Sequence, residues 1–160
     1  MKSPYLCLPG LMLIAASWIG SVSPAVAVDI NFGPHDCQPW AFSSQQYPPS
    51  HTTTGATNGG TGTNYMIVCN IPRSPLAPGM TAGSFYVDGD NPAGTFTVCM
   101  IFSHDFTGAL LGGAGFDVTT AGPYDKLVTL PSAYLGMWAY THIVCTLPPG
   151  GTLRGVTSIQ

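Results

Sequence analysis

Two His-Asp pairs, His35-Asp36 and His104-Asp105, are the residues of this 160-residue chain best suited to chemistry by type. A carboxylate beside an imidazole is the beginning of a metal-dependent hydrolase site, where both ligate an ion that activates water. Such a site needs further His and Asp ligands converging on one point. "SHDFTG" instead ends a β-prone run just before a glycine, where Asp commonly caps a turn by accepting a backbone N–H. "VDGDNPAG", residues 87–94, groups Asp88, Asp90 and Asn91, hard oxygen ligands of the kind calcium takes. A calcium loop also needs a bidentate Glu, and the chain has none. Asp-Gly between two strands is a hairpin signal by itself. No Gly-x-Ser-x-Gly elbow occurs, and no His stands in a recognisable relation to a Ser. No catalytic residue, metal ligand or cofactor is assigned, and a small secreted hydrolase is kept only as an alternative.

The chain begins with an export signal. Lys2 supplies the positive region, "LCLPGLMLIAASWIG" (6–20) the apolar stretch, and Ala25-Val26-Ala27 the small-x-small cleavage pattern. Pro9 and Gly10 interrupt the apolar stretch, which falls short of the roughly 20 residues a membrane span requires. Residues 1–27 are therefore the signal peptide, and 28–160 form one domain, secreted, periplasmic or on the cell surface, without stable membrane insertion after cleavage. Cys37, Cys69, Cys99 and Cys145 remain, an even number that reads as two disulfides made in an oxidising compartment. No C-x-x-C pair is present to nucleate a metal site.

Charge limits the partners. After the signal, Arg73, Lys126 and Arg154 face Asp29, Asp36, Asp88, Asp90, Asp105, Asp117 and Asp125. That balance excludes a basic footprint for nucleic acid and a polybasic patch for anionic lipid. The partners left are neutral.

The elements that must position these residues are strands. "YMIVCNI" (65–71), "SFYVDG" (84–89), "TFTVCMIF" (95–102), "AGFDVTT" (114–120), "DKLVTL" (125–130), "MWAYTHIVCTL" (137–147) and "LRGVTSI" (153–159) are β-prone runs separated by Gly/Pro-rich punctuation. This rhythm predicts an all-β fold, a single antiparallel β-sandwich, Ig-like or jelly-roll-like. "PSAYLGMWAY" holds a helical turn at most. Residues 43–64, rich in Ser, Thr, Gly and Asn, have too little apolar surface to offset their ordering entropy and read as a flexible loop.

Period-2 alternation assigns faces. Phe96, Val98, Met100 and Phe102 share one side of their strand, and Thr95, Thr97, Cys99 and Ile101 the other. Trp138, Tyr140, His142 and Val144 share one side, and Met137, Ala139, Thr141, Ile143, Cys145 and Leu147 the other. Cys99 and Cys145, each mid-strand, are well placed to be bridged, which leaves Cys37 for Cys69; of three possible pairings this one is favoured. Trp40, Tyr47, Tyr65, Trp138 and Tyr140 are the candidate platform on which a sugar ring or an apolar partner stacks.

"IVCNIPR" (67–73), "GTFTVCMIFSHDFTG" (94–108) and the closing "HIVCTLPPGGTLRGVTSIQ" (142–160), with an early Cys37, resemble small exported bacterial four-cysteine β-sandwich proteins of unknown function. The resemblance implies a disulfide-bonded sandwich in the bacterial cell envelope or outside the cell, and it brings no catalytic residues with it. The function expected is a non-enzymatic binding or structural module whose partner is a glycan or another envelope protein. The alternative is a carbohydrate-binding or adhesive module using exposed aromatics. Mass spectrometry of protein exported by a bacterial host should find the N-terminus at or near Val28; a full-length species retained in the cytoplasm would overturn the signal assignment.

Overall fold

The computed structural model describes residues 29–33, 37–40, 50–72, 76 and 80–159. The expected export signal, His35-Asp36 and Tyr47 lie outside these residues. Among the described residues eleven strands follow one another: β1 (Asp29–Phe32), β2 (Gln38–Pro39), β3 (Ser50–Thr52), β4 (Gly55–Thr57), β5 (Tyr65–Ile71), β6 (Ala82–Asn91), β7 (Thr97–His104), β8 (Leu110–Val118), β9 (Gly122–Pro131), β10 (Tyr140–Leu147) and β11 (Thr152–Ile159). A 3₁₀ turn, Ser132–Tyr134, sits where the sequence allowed a helical turn.

The strands form two antiparallel sheets packed face to face. One has the order β3-β4-β11-β6-β9, with β1 also paired to β11; the other has the order β2-β5-β10-β7-β8. Strands β4 to β11 cross between the sheets in jelly-roll order, with β1, β2 and β3 added around them, so the Ig-like option falls away.

Alternation drives the packing. Strand β6 buries Gly83, Phe85, Val87, Gly89 and Asn91 and turns the residues between them outward. Strand β10 does the same with Thr141, Ile143, Cys145 and Leu147. The resulting core joins Phe85, Val87, Val128, Leu130, Leu153 and Val156 from one sheet to Ile67, Ile101, Ile143 and Leu147 from the other. Tyr134 and Leu135 pack against it from the 3₁₀ segment, and the Ser103 hydroxyl donates to the Tyr134 carbonyl.

Both expected disulfides are present, Cys37–Cys69 and Cys99–Cys145. Cys99 and Cys145 are direct cross-strand partners on β7 and β10, with Cα atoms 4.1 Å apart. Cys37 is joined to β5, one residue before the two-residue pairing of β2 with that strand. All four are buried on the inner side of one sheet.

Three expectations from the sequence need correction. Residues 50–57 are not a loop: they form the β3–β4 hairpin, and β4 pairs with β11. The reason lies partly in Asn58, which is buried. Its amide donates to Thr63 O at 2.9 Å and Leu147 O at 3.0 Å, and its Oδ1 accepts from Gly60 N at 2.9 Å. Polar side chains thus supply the tethering that the absent aliphatic ones do not. "DGDN" is no hairpin turn either, since residues 88–91 run on within β6 and the chain turns at Pro92–Gly94, where Gly94 has φ 74°. Met137 to Ala139 precede β10 instead of opening it.

Each crosslink restricts the unfolded chain by a similar amount, about 4 kcal/mol in the chain-entropy model. The native-state cost separates them. A C99S/C145S variant traps hydroxyls in the core between two fully paired strands that cannot part, whereas in C37S/C69S the segment held to β5 through only two residues can swing away and let water reach its hydroxyls. Thermal melts followed by near-UV circular dichroism should therefore show the greater loss for C99S/C145S, with C37S/C69S keeping a partly native sheet. Equal losses would contradict this ranking.

Candidate functional site

Inward-facing Cys99, Ile101, Ile143 and Cys145 dictate what their neighbours do. Phe102 and His104 on β7, and Tyr140 and His142 on β10, must point out of the sandwich. Strand register sets Phe102 directly against His142 and His104 directly against Tyr140. The four rings then meet in one set. Phe102 and His142 have ring centroids 5.6 Å apart, His142 and His104 5.0 Å, and His104 and Tyr140 5.4 Å, with planes within 32° of parallel.

Beside this set is an open groove of about 390 Å³ lined by Trp40, Val68, Asn70, Phe102, His104, Leu110 and His142. Two devices shape it. Strand β7 is in step with β8 up to Ser103 opposite Gly112, but His104 pairs with Leu110, so Leu111 is an extra residue. This bulge brings Leu110 to the same side as His104, where an unbroken register would have placed Leu111. The second device is glycine. A Cβ on Gly113 would lie 3.1 Å from Phe102 Cδ1, and one on Gly115 2.9 Å from Met100 Cγ. The bare backbone of β8 thus gives Phe102 and Met100 room to lie over it.

Among the described residues no formal charge lines the groove. Asp105, next to His104, belongs to the following turn: its Oδ1 accepts from Thr107 Oγ1 at 2.6 Å, Thr107 N at 2.8 Å and Ala109 N at 3.0 Å. The Thr107 hydroxyl, helped by these backbone amides, holds the carboxyl below the usual range. His142 is half-buried, and burial followed by the neighbouring His104 lowers its pKa. His104 Nδ1 is buried without a hydrogen-bond partner.

The expected platform is only partly assembled. Trp40 is half-buried and lines the groove, and Tyr140 belongs to the ring set at 47% exposure. Trp138 is 73% exposed on the turn before β10 and does not line the groove. Tyr65 is a correction: it opens β5 on the inner face and is buried in the core, its hydroxyl lacking a hydrogen-bond partner. Phe102, His104 and His142 were not singled out from sequence as ligand-facing residues. Alternation had put Phe102 with Met100 and His142 with Tyr140, but the register joining the two sets was not legible. The turn expected at "SHDFTG" is present, made by Asp105. The grouping of Asp88, Asp90 and Asn91 is not a cation site: strand alternation sends Asn91 inward, where its amide donates to Thr95 O and Thr120 O. Among the described residues no three His, Cys, Asp or Glu side chains are grouped to hold a metal ion.

The outward side of the other sheet has the opposite character. Asp88 sits directly across from Asp125, and Arg154 Nη2 donates to Asp90 Oδ2 at 3.1 Å. Partial burial, then the Asp125 charge, raises the Asp88 pKa, while Arg154 opposes the rise.

No protein-family model matches the chain, and no curated sequence is similar to it. Among solved structures it is similar to a xylan-binding module, CBM15, with 15% identity over 83% of this chain and 96% of that one at a TM-score of 0.46. It is also similar to a family 35 carbohydrate-binding module from Clostridium thermocellum, with 9% identity over 82% and 98% of the two chains at a TM-score of 0.47. At such scores these likenesses carry no weight for a ligand, and the site rests on its own geometry.

The acidic pair gives a measurable consequence. A carboxyl whose folded pKa is raised contributes stability below its unfolded pKa and loses it as pH rises through the folded value, so at neutral pH Asp88 opposes folding. Asp125→Asn should raise stability near neutrality by about 0.5 kcal/mol, the scale of opposed like charges on a sheet surface. The gain should vanish in acid where Asp88 is protonated. Thermal melts across pH would show it; a variant equally or less stable at neutrality would refute the assignment.

Proposed function

We propose that the protein is an exported, non-enzymatic binding module that holds a neutral glycan against the outer face of the β2-β5-β10-β7-β8 sheet. One observation carries this reading: a continuous set of four rings borders an open groove whose described lining residues bear no formal charge. A pyranose ring has apolar C–H faces and a rim of hydroxyls. Its faces suit Trp40, Phe102 and Tyr140, and its rim suits the Asn70 amide and the imidazole nitrogens. Among the described lining residues a charged ligand would find no counter-ion.

Hydrolysis of a glycosidic bond needs two carboxyl groups flanking the bond. Among the described residues none lines the groove; Asp88 and Asp125 lie on the other sheet, and the Asp105 carboxylate is spent on its turn. The two disulfides suit an oxidising compartment, and the resemblance to exported bacterial four-cysteine proteins supports the same placement.

A second reading, docking of another envelope protein, is favoured by the rest of β7. Beyond the rings its outward row continues as Met100 and Val98, 41% and 36% exposed, with Phe96 at 51% just before the strand. Exposed apolar area of this kind marks protein contact sites.

Native gels cast with soluble neutral polysaccharides, followed by calorimetry on oligosaccharides of any that retard the protein, test the proposal. Phe102→Ala and Tyr140→Ala should each weaken binding about tenfold, which corresponds to about 1.4 kcal/mol, while near-UV dichroism stays native. Val98→Ser should leave binding intact. Absence of retardation by every neutral glycan, or full affinity in both ring variants, would defeat it.

A further inference from the structure

His104 and His142 are neighbours within the groove wall, their centroids 5.0 Å apart, and the described strands around them present mostly uncharged side chains. Strand β7 contributes Met100 and Phe102, β10 contributes Tyr140 and Val144, β5 contributes Val68 and Asn70, and β8 contributes Leu110 and Gly113. Trp40 follows β2. Among the described residues, the titratable groups beside the pair are the Tyr140 phenol, stacked on His104, and, one residue along the chain, the Asp105 carboxylate held in its turn. The next carboxylate on this sheet is Asp117, opposite Val98 and well down the strand from the rings.

Resting on the glycan-binding reading above, we propose that the groove is proton-gated: it holds its neutral ligand while His104 and His142 are uncharged and releases it when an imidazolium forms. The physical basis is desolvation. A ligand laid over the groove strips water from both imidazoles, and a charge there has no carboxylate among the described groove residues to pair with. Binding therefore favours the uncharged pair, and by linkage protonation must weaken binding. Two charged rings at this spacing would also repel each other, so one proton is enough to switch the pair. The lowered pKa of His142 in the free protein agrees with this direction. Imidazole is the side chain whose charge ordinarily changes in mild acid, which makes it the group to carry such a gate.

The experiment has two arms on the mature protein. Histidine ring NMR follows the protonation of His104 and His142 without any ligand. Native affinity gels with hydroxyethylcellulose, xylan and mixed-linkage β-glucan measure binding at about pH 8 and about pH 5, either side of an ordinary imidazole. The result expected is titration of His142 below an ordinary histidine, and affinity that falls about tenfold per pH unit once it protonates, as one linked proton dictates. His142→Phe, compared with itself at the two pH values, should lose most of that difference, and His104→Phe part of it. Affinity equal at both pH values while NMR shows His142 charged at the lower one overturns the gate and leaves the binding reading standing. Tighter binding in acid overturns it as well. No retardation at either pH by these three polysaccharides or by any other neutral glycan in the panel removes the binding reading, and the gate with it.

Discussion

The pairing of β10 with β7 is the constraint from which the rest of the molecule follows. Cys99 and Cys145 stand opposite each other on these strands and are covalently joined. Side chains alternate with a period of two, so a slip of one residue would exchange every inward group for an outward one. The crosslink forbids that slip. With it in place, Ile101 and Ile143 face the core, and Phe102, His104, Tyr140 and His142 must stand together outside. One bond on the inner face thereby fixes a ring set on the outer face.

The two outer faces then diverge. The β6, β9 and β11 face bears Asp88, Asp90, Asp125 and Arg154, and the acidic groups there repel as well as pair. The β7 and β10 face carries rings, Met100 and Val98, and among the described residues no formal charge lines its groove. In an antiparallel sandwich the solvent side of a sheet is ordinarily polar. An apolar one, on a chain with so few charges, is the surface from which the proposed neutral ligand would displace water.

Local departures from regularity refine that face. The bulge in β8 aims Leu110 into the groove, and the glycines of β8 leave Phe102 and Met100 space above the backbone. At the sandwich end, buried Asn58 and Asn91 spend their amides on main-chain carbonyls. They fasten segments that lack apolar side chains, with hydrogen bonds shielded from water taking the part that packing plays elsewhere.

The sequence by itself determined the all-β class, the two disulfides and the facing of the central strands, because each follows from local signals: Gly/Pro punctuation, an even cysteine count and period-2 alternation. It also identified Asp105 as a turn residue, since an Asx turn is made within a few residues. What it left undecided was long-range. Whether Tyr65 lies in the core or at a ligand depends on which side of β5 meets the other sheet, and that side is set by Cys69 and Ile67 packing inward. The Ser/Thr/Gly-rich stretch before β5 looks unable to order itself, yet residues 50–57 become strands because β11, almost a hundred residues later, offers its edge. The site belongs to the same category. Phe102 and His142 are 40 residues apart, and only the tertiary pairing of their strands, in one register, puts imidazole on phenyl.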